Sequence, residues 1–413
     1  MICRLRANLH LYGIVEGNIV NYITQIRGVS YKPSDLHDSL NENSIILLRA
    51  NNIDEGKINF EDVVYVDKSK VSETQILREN DILICASSGS KNLVGKAASF
   101  NGNIECTFGA FCKVIRPRNI LGSYLSAFFQ SKYYRFHISQ FANGANINNI
   151  KNEHINSFSI PERSFEEQKE ISYKVSSLNR IIESYNRELD LLDELIKARF
   201  VEMFGDPVLN DKSWQVIKLG ELCSKICSGN TPKGGSDNYK KEGIMFFRSQ
   251  NVWKNRLELD DIVYIDEATH ERMKETSLNY GDILITKTGR INTENSSLGR
   301  SALFLGKNGS ANINGHVYLV RINSELVNRN FVLQILISPQ YRDLIRRVCV
   351  GGIDKRQLNQ NHIYDFPIIV PPLELQNQLA SFVQEIDKSR SRIQKSLEAS
   401  QELFDSLMQE YFG

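Results

Sequence analysis

The chain has 413 residues, of which 41% are hydrophobic and 24% charged, and a net charge of +1, the composition of an ordinary globular protein of about two to four domains. This excludes a uniformly basic nucleic-acid binder, and apolar stretches such as Phe366 to Leu373 are far too short to span a bilayer. Seven cysteines without a Cys-x-x-Cys pair, and a start without a signal-peptide pattern, predict free thiols in the cytoplasm.

In chain order, β-branched or aromatic runs at 45–49, 63–67, 81–86 and 95–100 predict strands, separated by turns such as Asp54-Glu55-Gly56-Lys57. Arg49 stands before Asn51 and Asn52, and the polar loop Ser87–Leu93 carries Ser87, Ser88 and Lys91. Ser164 with Glu167 forms a capping-box pattern that opens a helix, and Gly205-Asp206-Pro207 closes it. In alternating steps of four and three the helix reads Ile171, Val175, Leu178, Ile182, Tyr185, Leu189, Leu192, Ile196, Arg199 and Met203, the seam of a heptad.

Strand runs return at 244–248, 262–266, 282–287 and 300–305. Residues 225–256 hold seven basic side chains, Lys233, Arg248 and Lys254 among them, against Asp237 and Glu242. Such a patch can attract phosphates. Arg248 precedes Asn251 by three residues, as Arg49 precedes Asn52, and the next polar loop carries Lys287, Thr288, Arg290 and Asn292. Ser, Asn, Lys and Arg are the donors that reach phosphates and base edges. Pro371-Pro372 then opens a second heptad helix, with Leu379, Val383, Ile386, Arg390, Ile393, Leu397, Ser400, Phe404, Leu407 and Tyr411 on its seam. At about 1.5 Å per residue, each helix of nearly forty residues runs roughly 58 Å.

These elements occur twice. Residues 144–205 align with 352–413 at a constant offset of 208, with 14 identities in 62 positions, among them His154/His362, Phe158/Phe366, Gln168/Gln376 and Phe204-Gly205/Phe412-Gly413. Chance gives about four. Upstream the match is looser: Val64-Tyr65-Val66-Asp67 with Val263-Tyr264-Ile265-Asp266, and Asp81-Ile82-Leu83-Ile84 with Asp282-Ile283-Leu284-Ile285. Loop lengths differ there, so the two globular parts share a scaffold but not its loops. Two equal heptad helices in one chain are expected to pair with each other, antiparallel in a pseudo-twofold arrangement.

No enzyme motif accompanies this layout. Gly89 to Lys96 is one residue too long for a phosphate loop, and Ala97 stands where Ser or Thr would bind magnesium. Glu55-Gly56-Lys57 reads as a tight turn rather than a nuclease site. His154 and His362 read as structural.

Taken together, Phe366-Pro367-Ile368-Ile369-Val370-Pro371-Pro372-Leu373-Glu374-Leu375-Gln376, Gly281-Asp282-Ile283-Leu284-Ile285, Gly299-Arg300-Ser301-Ala302 and Trp214 with Lys218-Leu219-Gly220 resemble the specificity subunits of Type I restriction–modification systems. The resemblance covers nearly the whole chain, with two departures. Met1 to Asn21 holds no Trp, and the first helix lacks the double proline.

The resemblance implies an α+β protein: two strand-rich mixed target-recognition domains joined by two long antiparallel coiled-coil helices, as an internal repeat. The expected boundaries are a first recognition domain at 1–160, a helix at 161–205, a second recognition domain at 206–370 and a helix at 371–413. Each domain would read one half of a split site in double-stranded DNA. The helices would set the spacing and dock two methyltransferase subunits, with restriction subunits joining outside. S-adenosylmethionine and ATP would belong to those partners, leaving this chain without cofactor, metal or catalytic residue of its own. A non-catalytic coiled-coil adaptor that binds protein is the rival reading.

Overall fold

The structure is a computed structural model that describes residues 15–54, 56–90, 93–141, 148–232, 234–291, 293, 295–323, 325 and 327–413. It divides into two compact units, Met1–Arg187 with Gln394–Gly413, and Glu188–Ile393.

In the first unit an antiparallel sheet runs in the order Ala97–Ser99, Ile82–Cys85, Cys112–Pro117, Ile23–Arg27. A second sheet runs Cys106–Phe108, Ser44–Leu48, Val64–Asp67, Leu36–His37, its first pair parallel. All four residues of Ile82–Cys85 are buried because the strand is covered on both faces. Alternate side chains of a strand point to opposite sides. Ile82 and Ile84 therefore join Tyr124 and Phe128 of helix Gly122–Gln130, while Leu83 and Cys85 join Leu48 and Phe108 of the second sheet.

The second unit repeats the design. Its main sheet runs Ser301–Leu303, Ile283–Thr286, Val317–Ile322, Cys223–Ser228. A three-stranded sheet of Val263–Ile265, Ile244–Phe247 and Ala311–Ile313 again has a parallel pair. Ile283 and Ile285 face helix Arg329–Ile337, and Leu284 faces Phe247 and Ile313.

The long helices span Phe165–Phe204 and Leu373–Phe412. At the first, Ser164 N–H donates to Glu167 Oε2 at 2.8 Å, and Glu167 N–H donates back to Ser164 Oγ at 3.3 Å, a closed capping box. That helix stops where Gly205 turns left-handed at φ 74°. There the Trp214 indole donates to the freed Phe204 carbonyl at 3.0 Å. The repeated glutamine ties each helix start to its domain. Gln168 Oε1 accepts from Leu121 N–H at 2.8 Å, and Gln376 Oε1 accepts from Asn328 N–H at 3.0 Å.

Within each unit the two helices run antiparallel. In the first, Ile171 and Val175 share a core with Met408, Tyr411 and Phe412. In the second, Ile196, Phe200 and Phe204 share one with Leu379 and Val383, and Arg390 pairs with Asp193. The seam is graded along its length. Ile171, Val175, Leu178, Leu379 and Val383 are buried, whereas Leu189, Leu192, Ile386, Leu397 and Leu407 are half-buried.

The globular part of each unit is clamped by the last aromatic of a long helix. Phe412 lies 5.2 Å from Tyr124 and 6.0 Å from Phe128, centroid to centroid, and Phe204 lies 4.8 Å from Phe331.

Candidate nucleic-acid interface

The two polar loops of the repeat leave matching strands. After Ile82–Cys85 the chain forms Ser87–Ser88, which pairs with Asn148–Asn149 in the register Ser88 to Asn148 and Ser87 to Asn149. After Ile283–Thr286 it forms Thr288–Arg290, which pairs with Lys355–Gln357, Thr288 opposite Gln357 and Arg290 opposite Lys355. Val350–Gly351 extends this second ribbon to three strands. Asn148 and Asn149 stand 208 residues before Arg356 and Gln357, the offset of the sequence repeat. The ribbons are thus equivalent in both copies. Their second strands were missed from the sequence, because the pairing joins segments about sixty residues apart and the strands are only two or three residues long.

Each ribbon has a rigid base. Arg135 Nη1 donates to the Val94 carbonyl at 3.1 Å, and the corresponding Arg342 Nη1 donates to the Leu298 carbonyl. The following glycine is left-handed in both copies, Gly95 at φ 79° and Gly299 at φ 64°. A Cβ there would meet Ile138 at 2.7 Å or Ile345 at 2.9 Å, so a larger residue is refused by both backbone and space. In the second unit Arg300 is buried, donates to the Ser296 carbonyl at 3.1 Å and lies 3.8 Å from the Trp253 ring. Arg256 lies 5.4 Å from the same ring, a cation–π arrangement. Burial pushes the Arg342 guanidinium down to about 10, with Arg346 and Arg300 adding to the effect.

The other candidate residues occupy different settings. Arg49 N–H donates to Asn52 Oδ1 at 2.8 Å, and Arg49 Nη2 reaches both the carbonyl and the carboxylate of Asp62, at 2.8 and 3.0 Å. Asn51 Nδ2 donates to the same carboxylate at 3.0 Å. The second copy repeats this turn. Arg248 N–H donates to Asn251 Oδ1 at 3.0 Å, and Arg248, Gln250 and Asn251 converge on Asp261. Hydrogen bonds from Gln250, and then the charge of Arg248, hold the Asp261 carboxyl below its usual range. Asn52 and Asn251 are fully buried, so the structure places them inside a turn and not at a surface.

Lys254 is exposed. Lys91, Lys233 and Asn292 lie outside the described residues. Ser87, Ser88, Lys287 and Thr288 are half-buried and Arg290 is exposed, with Lys287 Nζ 5.6 Å from the Tyr318 ring. The basic stretch 225–256 is partly neutralised by acids from elsewhere in its unit, Lys225 by Glu275 at 3.1 Å and Arg248 by Asp261 at 3.1 Å. Of the recurring histidines, His154 Nδ1 accepts from Lys151 N–H at 3.3 Å and His362 Nδ1 from Asn359 N–H at 3.2 Å. They tie down short helix starts. The six described cysteines are free, and burial pushes the thiols of Cys106, Cys112 and Cys223 up to about 12. Among the described residues no helix is long and apolar enough to cross a membrane.

A family model described as the Type I restriction modification DNA specificity domain matches residues 31–194 and 211–401. The chain is 29% identical over 406 residues to the Type I restriction enzyme StySPI specificity subunit of Salmonella potsdam, covering 94% of this chain and 84% of that protein. It is 32% identical over 286 residues to the EcoKI specificity subunit of Escherichia coli, covering 67% and 61%. The crystal structure of a Type-I restriction-modification system S subunit from M. genitalium shares the fold, with a TM-score of 0.57 at 15% identity over 97% of this chain and 96% of that one.

Proposed function

The chain belongs to the Type I restriction–modification specificity family, and from that premise we propose how its two units divide the task of DNA target recognition. Each unit reads one half of a bipartite duplex site. The long helices set the gap between the halves and dock two methyltransferase subunits, with restriction subunits joining outside. The chain itself catalyses nothing; S-adenosylmethionine and ATP are held by those partners, and the assembly works in the cytoplasm.

One observation carries this reading. The same ribbon stands at the same place on the same scaffold in both units, yet its residues differ. The ribbon of one unit is Ser87–Ser88 with Asn148–Asn149, and that of the other is Thr288–Arg290 with Lys355–Gln357. A shared frame with unlike residues is what reading two different half-sequences requires, since base edges are distinguished by donor and acceptor pattern.

Methylation-sensitive sequencing of DNA from cells expressing this chain with its methyltransferase tests the reading. The modified sites should form one motif of two defined halves around an undefined spacer. Methylation at a single undivided sequence, or none that depends on this chain, would refute it.

A further inference from the structure

The ribbons are equivalent in place and register but not in charge. In the first unit they consist of Ser87, Ser88, Asn148 and Asn149, and no residue of 142–149 is charged. In the second unit the same positions and their neighbours hold Arg290, Lys355 and Arg356. Side chains alternate across a strand. Gly289, opposite Arg356, turns inward, where a Cβ would lie 2.3 Å from the Leu298 nitrogen. Arg290 and Lys355, opposite each other, therefore share the outer face with Thr288 and Gln357, and both are exposed.

Among the described residues, the carboxylate paired with Arg290 is weakly placed. Asp354 Oδ2 lies 3.4 Å from Arg290 Nε, with both side chains about two-thirds exposed, a geometry that contributes little. No carboxylate among the described residues forms an ion pair with Lys355. Beneath the ribbon, Arg300 and Arg342 are buried and held by backbone carbonyls, so the base adds positive potential rather than cancelling it.

We infer that the outer face of this ribbon is a phosphate clamp for duplex DNA, in which Arg290 and Lys355 each take one backbone phosphate, while the ribbon of the first unit takes none. The inference rests on the DNA-reading function proposed above. Its consequence is an unequal division of labour. The second unit supplies the sequence-independent, salt-sensitive part of binding, and the ribbon of the first contributes neutral hydrogen bonds alone.

The test is the salt dependence of binding to a duplex of arbitrary sequence, measured by fluorescence anisotropy on the full chain assembled with its methyltransferase subunits. Each phosphate contact steepens the log–log slope by about 0.9. The double variant Arg290→Gln/Lys355→Gln should therefore lower the slope by about two and weaken binding at low salt. The matched variant Ser87→Ala/Asn149→Ala should leave the slope unchanged. Arg290, Lys355 and Asn149 are exposed and Ser87 is half-buried, and unchanged thermal unfolding of both variants serves as the folding control. An unchanged slope in the first variant, or an equal loss in the second, overturns the clamp while leaving the DNA-reading function standing. A parent assembly that binds no duplex at low salt overturns both.

Discussion

Arg116 grips Asp81 through two parallel hydrogen bonds, Nε to Oδ1 at 2.9 Å and Nη2 to Oδ2 at 2.7 Å. Asp81 is fully buried and also accepts from Arg78 N–H at 2.8 Å. Arg321 and Asp282 form the same pair in the second unit, at 2.7 and 2.7 Å. The pair locks the start of the strand that leads to each ribbon. Removing one partner of a buried pair leaves the other uncompensated, at a cost of about 3–5 kcal/mol. Asp81→Asn should therefore destabilise the first unit by about 3 kcal/mol and Asp282→Asn the second. Urea unfolding followed by hydrogen exchange should localise each loss to its own unit; spread over both, it would show that the units do not unfold separately.

Lys113, on the inner strand Cys112–Pro117 of the first unit's main sheet, is buried and bonded to two neutral partners, Gln25 Oε1 at 3.0 Å and Asn152 Oδ1 at 2.6 Å. Burial holds its pKa down to about 8. The unfolded chain, with an ordinary lysine, binds the proton more tightly, so this residue's contribution to stability rises with pH and is lost as pH falls through 8. Between pH 7 and 8.5 the gain is about 1 kcal/mol. The strand pairing puts Tyr318 at the corresponding position of the second unit. Lys113→Tyr should remove that slope when its stability is compared with the parent at each pH. Identical pH profiles would show that the ammonium is solvated.

The graded seam predicts graded damage. Val175→Asp and Val383→Asp place a carboxylate at positions no more than 5% exposed and should cost several kcal/mol, on the order of 3. Leu189→Asp and Leu397→Asp sit at half-buried positions and should cost about 1 kcal/mol. If the helices dock methyltransferase subunits as proposed, the larger effect of these two variants should be on that binding. Titration calorimetry with those subunits, beside thermal melts, separates the two effects. Equal melts for all four variants would contradict the gradient.

The division between units falls between Arg187 and Glu188 on the first long helix. Four residues inserted there lengthen it by about 6 Å, an insertion heptads tolerate. If the helices set the gap, the methylated motif should keep both halves and gain about one or two base pairs of spacer, at about 3.4 Å each. Mapping methylated sites reads this directly. Full activity at the original spacing would reduce the helices to linkers.

The heptad seam, the capping box and the strands at 82–85 and 283–286 could be read in advance because each is a local pattern whose period is its own signal. The role of Asn52 and Asn251 could not. Asn suits both a base edge and a turn, and only the convergence of Arg248, Gln250 and Asn251 on Asp261 decides between them. The net charge of the basic stretch at 225–256 is overstated by sequence alone for a related reason, since Lys225 meets Glu275 fifty residues further on. Lys355 to Gln357 were passed over because a strand of three residues has no period of its own.

The clamp of Phe412 on Tyr124 and Phe128 sets an order on the birth of the molecule. The second unit is one unbroken stretch, Glu188–Ile393, whereas the first needs Gln394–Gly413, made after all of the second, to close its core. A chain emerging from the ribosome presents its first domain early, yet leaves Tyr124 and Phe128 without their lid until Phe412 has been made. The second domain, with Phe204 already made, can finish sooner. Domains usually fold N-terminal first during synthesis; here the order should invert. Pulse proteolysis of stalled nascent chains should find protection in residues 206–370 before it appears in 15–160. A first domain protected while Phe412 is still unsynthesised would show that its core closes without the lid.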